Sequence, residues 1–231
     1  MAVKYRWLLL DADGTLFDYD RAEAVALART FEAFGHPFQA EHATTYRQIN
    51  AQIWLDYERG QISAERLRVQ RFELLAETTG ARFDASTFSD RYLAHLAECS
   101  YLMENAEDMV RRLHGRVSMV ILTNGLREVQ RRRLAGSSIE PFVTDIVVSG
   151  EVGAAKPAPE IFDAAFEVMD HPEKKDVLMV GDGLTADIAG GQAYGIDTCW
   201  FNPQGKPSRL KIEPDYEIRS LTELLDIVQG V

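Results

Sequence analysis

Cysteine is scarce in this chain: two residues, Cys99 and Cys199, lie far apart and form no CxxC pair. That argues against a disulfide scaffold or a cysteine-held zinc site and points to buried thiols in a reducing, cytoplasmic compartment. The five histidines (His36, His42, His95, His114 and His171) show no HxH or HExxH spacing, so they read as structural or solvent-facing. No apolar run approaches the roughly 18 residues that a membrane helix needs. The N-terminal run Trp7 to Leu10 is too short for a secretory signal, and acids follow it where small residues should be. We read it as a first core strand. Positive charge is the minority: 25 Lys and Arg stand against 36 Asp and Glu, a net charge of −11. Long nucleic acid, which needs a basic surface, is therefore not an expected partner. A small anionic substrate stays possible, because one bound divalent ion reverses the local field. Internal repeats, low-complexity tracts and Pro/Gly/Ser linkers are also missing.

What is present is an alternation of short apolar strands and helices. The 231 residues, 46% hydrophobic, suffice for one large domain or a core with a smaller insertion. Strand-like runs occur at 6–10, 117–122, 144–149, 176–180, 197–201 and 216–219. Helix-like stretches at 105–114, 126–135, 159–169, 185–194 and 221–229 alternate with the later strands. Ser220 and Glu223 can form a capping box for the last helix. This order predicts an α/β fold with a parallel, Rossmann-like sheet covered on both faces. Residues 18–98 contain no convincing strand. There "RAEAVALARTFEAFG" sets Leu27, Phe31 and Phe34 on one helical face before Gly35, and a later helix has Ser63 as N-cap and Gly80 as terminator. Two further helices fall at about 40–58 and 86–98. We therefore expect a core of residues 1–17 and 99–231 with an all-helical insertion, 18–98.

In open α/β sheets, ligands bind beyond the carboxyl ends of the strands. Asp11 and Asp13 follow the first predicted strand, and Thr123, Asn124 and Gly125 follow the second. Lys156 follows the third after a glycine-bearing loop, and Asp182 and Asp187, in "GDGLTAD", follow the fourth. Taken singly, each reads as an ordinary turn, cap or surface residue. Together they bring acids, a hydroxyl and a lysine to one rim of the sheet. Carboxylates gathered there would repel without a cation, and such oxygen ligands suit Mg²⁺. One competing pattern exists: Gly181, Gly183 and Ala186 spell a dinucleotide fingerprint. However, Asp182 and Asp187 occupy the place of the pyrophosphate, and Asn202 stands where an acid should follow the next strand. Arg127 and Arg131 to Arg133 read as the solvated face of a helix.

The ordered set "DADGT", "LTNG", "KP" and "GDGLTAD" resembles the four motifs of the haloacid dehalogenase (HAD) superfamily in its phosphatase form. The helical insertion resembles that superfamily's C1 cap. The resemblance implies a role for each matching residue. Asp11 would be the nucleophile that forms an aspartyl-phosphate, and Asp13 the acid that protonates the leaving oxygen and then activates water. Asp11, the Asp13 backbone carbonyl and Asp182 would hold Mg²⁺, with Asp187 as a further ligand or support. Thr123 and the amides of Asn124 and Gly125 would bind phosphoryl oxygens, and Lys156 would offset charge. An acid at Asp13 favours phosphate esters over halides, because a leaving halide needs no proton. Gly183 departs from the many relatives that carry a small hydroxyl residue there.

The cap stretch "QIWLDYERGQIS" and the strand "TCWFN" are similar to bacterial nucleoside 5′-monophosphatases of this superfamily, above all pyrimidine 5′-nucleotidases. The implied partner is a small phosphorylated substrate, a nucleoside monophosphate, with no membrane. Phe17, Tyr19, Trp54 and Tyr57 are the candidates for stacking on a base, against the alternative that each is a core or hinge residue. Hinges between core and cap are expected near 15–20 and 98–105. Two alternatives stand beside this reading. One is a phosphoglycolate or sugar-phosphate phosphatase, or a phosphomutase, on the same fold. The other is a catalytically idle binding or scaffold protein, against which the complete set Asp11, Asp13, Thr123, Lys156 and Asp182 argues.

Overall fold

The computed structural model describes residues 3–208 and 210–230. The chain divides into two compact units, one holding the chain up to Tyr19 and from Ser100 onward, the other Asp20–Cys99.

The first unit is built on a parallel sheet. In chain order its elements are β1 (Trp7–Leu10), and, after the helical unit, a helix Ala106–Leu113, β2 (Ser118–Thr123), a helix Arg127–Ala135 and β3 (Asp145–Val148). A one-turn helix, Ser149–Val152, follows, then Pro159–Val168, β4 (Val177–Gly181), a π-helical turn Leu184–Ala189, Gly190–Tyr194, β5 (Asp197–Phe201), β6 (Tyr216–Ile218) and Leu224–Gln229. With the four helices of the second unit counted first as α1 to α4, these helices are α5 to α10, the π turn left unnumbered.

Strand order is β3-β2-β1-β4-β5-β6, and every pairing is parallel. This is a Rossmann-like arrangement. Strand succession runs one way from β1 to β3 and the other way from β4 to β6, so it reverses between β1 and β4. That is where such sheets open a crevice for ligands.

The alternation of side chains along the strands builds two cores. Leu8, Leu10, Met119, Ile121, Leu178 and Val180 pack with Met109, Val110 and Leu113 of α5 and with Leu224, Leu225 and Val228 of α10. Leu9, Val120, Leu122, Val177 and Met179 pack on the other face with Ile161, Phe162, Ala165 and Phe166 of α8. Both faces of each central strand are therefore dry, which is why these strands read as continuous apolar runs. The capping box at Ser220 and Glu223 forms, with Glu223 Oε1 accepting the Ser220 N–H at 2.7 Å.

The second unit consists of α1 (Tyr19–Ala33, which begins at the boundary), α2 (Ala40–Glu58), α3 (Ala64–Thr79) and α4 (Ala85–Ala97). Ser63 caps α3 by accepting the Arg66 N–H, and Gly80 ends it at φ +72°. Only glycine enters that left-handed region without strain. The core of this unit is aromatic: Phe31, Tyr46, Phe72, Phe88 and Tyr92 are fully buried, with Phe72 5.2 Å from Phe88 and 5.1 Å from Tyr92. A buried polar chain runs through it. Asn50 donates to Glu23 at 3.3 Å and accepts from Arg71 at 3.1 Å.

Two local differences from the sequence reading bear on function. The expected helix at 185–194 starts as a π turn, and only Gly190–Tyr194 is α-helical. Moreover, α6 is not wholly a solvated face. Its Arg127 and Arg131 are exposed and pair with Glu151, at 2.7 and 2.6 Å, but Arg133 is fully buried.

Candidate active site

The site is assembled at the carboxyl ends of β1, β2 and β4 and in the loop after β3. Asp11 directly follows β1, and its N–H donates to the Val180 carbonyl at 2.9 Å, which continues the pairing with β4 by one residue. Its side chain is therefore carried to the carboxyl end of the sheet on a central strand that is paired on both sides. The chain then turns tightly, with Leu16 and Phe17 both donating to the Ala12 carbonyl, at 3.0 and 2.8 Å. Gly14 is required at this turn for two reasons. Its φ is +86°, and a Cβ there would lie 2.5 Å from Asp182 Oδ2. Thr15 ties the β1 loop to the β4 loop, because Thr15 Oγ1 accepts the Asp182 N–H at 3.1 Å.

The loop after β4 delivers two acids. Trp200 on β5 donates from Nε1 to the Asp182 carbonyl at 3.0 Å and steadies the turn. Within the π turn the N–H groups of Asp187 and Ile188 both reach the Gly183 carbonyl, at 2.9 and 3.2 Å. Such widened turns are frequent at functional sites. This one brings the Asp187 carboxylate back toward the end of β4, where Asp187 Oδ2 accepts the Gly183 N–H at 2.9 Å. A Cβ on Gly181 would sit 2.1 Å from Asp187 Oδ2, so the glycine makes room for that carboxylate.

Lys156 joins the two acidic loops. It is buried, and its Nζ lies 2.6 Å from Asp11 Oδ1, 2.7 Å from Asp187 Oδ1 and 2.7 Å from the Leu122 carbonyl. The Asn124 side chain fixes the backbone beneath it, donating to the Lys156 carbonyl at 2.9 Å and accepting the Lys156 N–H at 2.7 Å. Thr123, buried at the last position of β2, accepts the Gly125 N–H at Oγ1, 3.1 Å away.

The electrostatics follow from this crowding. Burial pushes the Asp11 carboxyl well above the usual carboxylate range; the Lys156 ammonium opposes that shift, while Asp187 and Asp182 add to it. Burial also works against the Lys156 ammonium, but the Asp11 and Asp187 carboxylates outweigh it and raise its pKa above the ordinary lysine value. Asp182 shifts upward too, first through desolvation and then through the Asp187 charge. Its exposed position lets solvent soften the effect.

Asp11, Asp182 and Asp187 each offer one oxygen, and these atoms all lie within 4.8 Å of one another. Three hard carboxylate oxygens with one ammonium between them carry surplus negative charge. That donor set fits a small divalent cation such as Mg²⁺. The Asp13 carboxylate is not part of the trio. Its two oxygens instead accept from Gln130 Nε2 and from Arg133 Nη1, both on α6.

The aromatic candidates fare unequally. Phe17 is fully buried in the first core, with the Arg133 guanidinium 4.7 Å from its ring centre. It is closed to a base, so of the two readings offered for it, stacking on substrate or core residue, its burial fits the second. Its apolar bulk fills the turn after Asp13. Tyr19 is half-buried at the first residue of α1. Trp54 and Tyr57, half-buried on α2, meet edge to face with ring centres 5.7 Å apart.

Gln130 and Arg133 escaped the sequence reading, although a signal was there. Val129 and Leu134 are the apolar anchors of α6, and at helical spacing positions 130 and 133 share their face. Val129, Gln130, Arg133 and Leu134 are its buried residues.

Comparison with known proteins gives consistent results. The family model for haloacid dehalogenase-like hydrolase matches residues 5–195. YfnB of Bacillus subtilis, described as a HAD-hydrolase, is 38% identical over 97% of this chain and 96% of its own. Its crystal structure bound to magnesium superposes with a TM-score of 0.92, covering 97% of this chain and 99% of that one. The pyrimidine 5′-nucleotidase YjjG of Escherichia coli is 33% identical over 96% of this chain and 97% of its own. The pyrimidine 5′-nucleotidase PynA of Streptococcus pneumoniae is 34% identical over 96% of this chain and 94% of its own.

Proposed function

The chain belongs to the haloacid dehalogenase-like hydrolase family, and from that premise we propose that it is a cytoplasmic, Mg²⁺-dependent phosphatase of pyrimidine nucleoside 5′-monophosphates. The observation that carries the chemistry is Lys156 Nζ bridging Asp11 and Asp187 within a trio of carboxylates, with Asp13 two residues beyond the nucleophile position. The substrate class is supported by two pyrimidine 5′-nucleotidases among the full-length relatives.

In this reading an Asp11 oxygen attacks phosphorus in line. The Asp11–phosphorus bond forms as the bond to the ester oxygen breaks, and Asp13 gives its proton to that leaving oxygen. Asp13, now a carboxylate, takes a proton from the water that attacks phosphorus; the bond between Asp11 and phosphorus breaks as the new one forms, Asp11 returns to a carboxylate and inorganic phosphate departs. Thr123 Oγ1 and the N–H groups of Asn124 and Gly125 hold phosphoryl oxygens. For Gly125 a phosphoryl oxygen replaces the present bond to Thr123. Lys156 holds the nucleophile in place and offsets the charge that builds on the equatorial oxygens. Asp11, the Asp13 carbonyl and Asp182, with Asp187 beside them, would hold Mg²⁺, which would supply positive charge against that of the phosphate dianion. The helical unit serves as the cap, with Tyr19, Trp54 and Tyr57 as candidates to stack on the base.

The test is phosphate release from pyrimidine and purine nucleoside monophosphates, phosphoglycolate and hexose phosphates, each with Mg²⁺ and with EDTA. We expect Mg²⁺-dependent release, fastest with pyrimidine monophosphates and abolished in Asp11→Asn. Faster release from phosphoglycolate or a hexose phosphate would overturn the substrate class, and silence on every ester would overturn the activity.

A further inference from the structure

The proposed chemistry asks Asp13 to give a proton and later take one, so its carboxylate must keep one direction toward the leaving oxygen. We infer that Gln130 and Arg133 on α6 are positioning residues for Asp13. This inference rests on the phosphatase reading.

Both oxygens of the Asp13 carboxylate are taken by different donors: Arg133 Nη1 serves Oδ1 and Gln130 Nε2 serves Oδ2. The donors stand three residues apart, so they project from one face of α6. Neither can easily move. Gln130 is 1% and Arg133 0% exposed, and the Arg133 guanidinium lies against the Phe17 ring. The fit continues into the phosphate loop, where a Cβ on Gly125 would sit 2.1 Å from Gln130 Nε2. The missing side chain at Gly125 thus makes room for the amide that grips Asp13. The Asp13 side chain itself keeps 28% exposure. Its donors reach it from the protein interior and leave an edge open.

Burying a guanidinium is costly unless it is paired, and an apolar residue of similar size would serve packing as well or better. The pairing chosen here is with the one site acid that lies outside the carboxylate trio. A proton-transferring group must lie within hydrogen-bond reach of the leaving oxygen. Two donors on two oxygens fix the carboxylate plane that sets this reach.

The experiment separates positioning of the acid from general support of the fold by varying the leaving group. Wild type, Arg133→Met, Arg133→Lys and Gln130→Leu are assayed with Mg²⁺ on a nucleoside 5′-monophosphate and on 4-nitrophenyl phosphate. The alkoxide leaving from the first needs a proton; the nitrophenolate leaving from the second does not. kcat/KM is compared, because it reports steps through transfer to the enzyme. For Arg133→Met the expected loss is about 100-fold on the nucleotide and less than about 3-fold on the aryl ester, the size of a lost general acid. Arg133→Lys recovers part of the loss on the nucleotide only. Gln130→Leu, which keeps the bulk and buries no new charge, shows the same split at about 10-fold and stands as the deciding variant if Arg133→Met does not fold. Equal losses on both esters in Gln130→Leu and Arg133→Lys, or no loss on either, overturn the inference while leaving the phosphatase reading intact. Wild type inactive on both esters overturns the reading and the inference together.

Discussion

Asp182→Asn should make the metal-free protein more stable while removing its response to Mg²⁺. Asp182 places an oxygen within 4.8 Å of oxygens on Asp11 and Asp187. At that separation and an effective dielectric of about 20, each like-charge pair costs about 3 kcal/mol. Attraction to Lys156 cancels roughly one of the two pairs, and the exposure of Asp182 screens the remainder to about 1–2 kcal/mol. For a chain of this size, that is a rise in Tm of about 2–8 °C for the variant in EDTA at pH 8. Mg²⁺ at tenfold its Kd should stabilise wild type by about 1.4 kcal/mol through preferential binding to the folded state, and the variant hardly at all. Differential scanning calorimetry of both proteins, in EDTA and across a Mg²⁺ series, measures all four quantities. A lower Tm for Asp182→Asn in EDTA would refute the repulsion argument. An equal Mg²⁺ response in both proteins would refute the placement of the cation.

Other substitutions test neighbouring parts of the same structure. Lys156→Met should destabilise the metal-free protein by about 3–5 kcal/mol, because it leaves Asp11 and Asp187 buried without their shared ammonium; urea unfolding in EDTA measures it. Gly14→Ala should both strain the turn and push Asp182 aside, since its Cβ would sit 2.5 Å from Asp182 Oδ2. The check is a Mg²⁺ titration, with affinity expected to fall at least about tenfold, the cost of moving a ligand's support. In the helical unit, His95 has a pKa below the ordinary 6.5, chiefly because burial disfavours its charged form. Its proton then binds the unfolded chain better. The associated stability is complete above pH 6.5 and is lost as pH falls through the lowered value. Denaturant melts at pH 7.5 and 5.5 should show this loss, and His95→Gln should shrink it.

The parallel sheet was legible because its strands are buried on both faces and so read as unbroken apolar runs, such as "VLMV" before Gly181. Chemical residues were legible where they follow such runs directly: Asp11, Thr123 and Asp182 each sit at or just past a strand end. Lys156 lies further from its strand, beyond a one-turn helix the sequence reading did not foresee; its place after the third strand marked it as a candidate, and the motif resemblance gave it a role. The residues that escaped are those whose role depends on which face of a helix turns inward. Arg133 looks like its exposed neighbours Arg131 and Arg132 in composition. Only the stripe set by Val129 and Leu134 separates it from them. For Phe17 the two readings, stacking candidate or core residue, stayed open in the sequence, because proximity to Asp13 in the chain says nothing about whether a ring points to ligand or to core; its burial fits the core reading.

The distribution of charge in the site carries one more consequence. Asp11, Asp13, Asp182 and Asp187 face two cations, Lys156 with the trio and Arg133 with Asp13. Four carboxylates against two cations leave a formal charge of minus two, the charge that one divalent ion balances. Without that ion the site repels a phosphate dianion, and the oxygen-binding groups of Thr123, Asn124 and Gly125 supply no net charge to overcome the repulsion. Inorganic phosphate should therefore bind only when Mg²⁺ is present. Calorimetric titration of phosphate into wild type should show no heat of binding in EDTA and saturable binding with Mg²⁺. Asp182→Asn should gain a weak, Mg²⁺-independent affinity, because one of the repelling charges is gone. Phosphate binding of equal strength in EDTA and in Mg²⁺ would mean that Lys156 and the backbone donors suffice to attract the anion, and the charge-balance argument would fail.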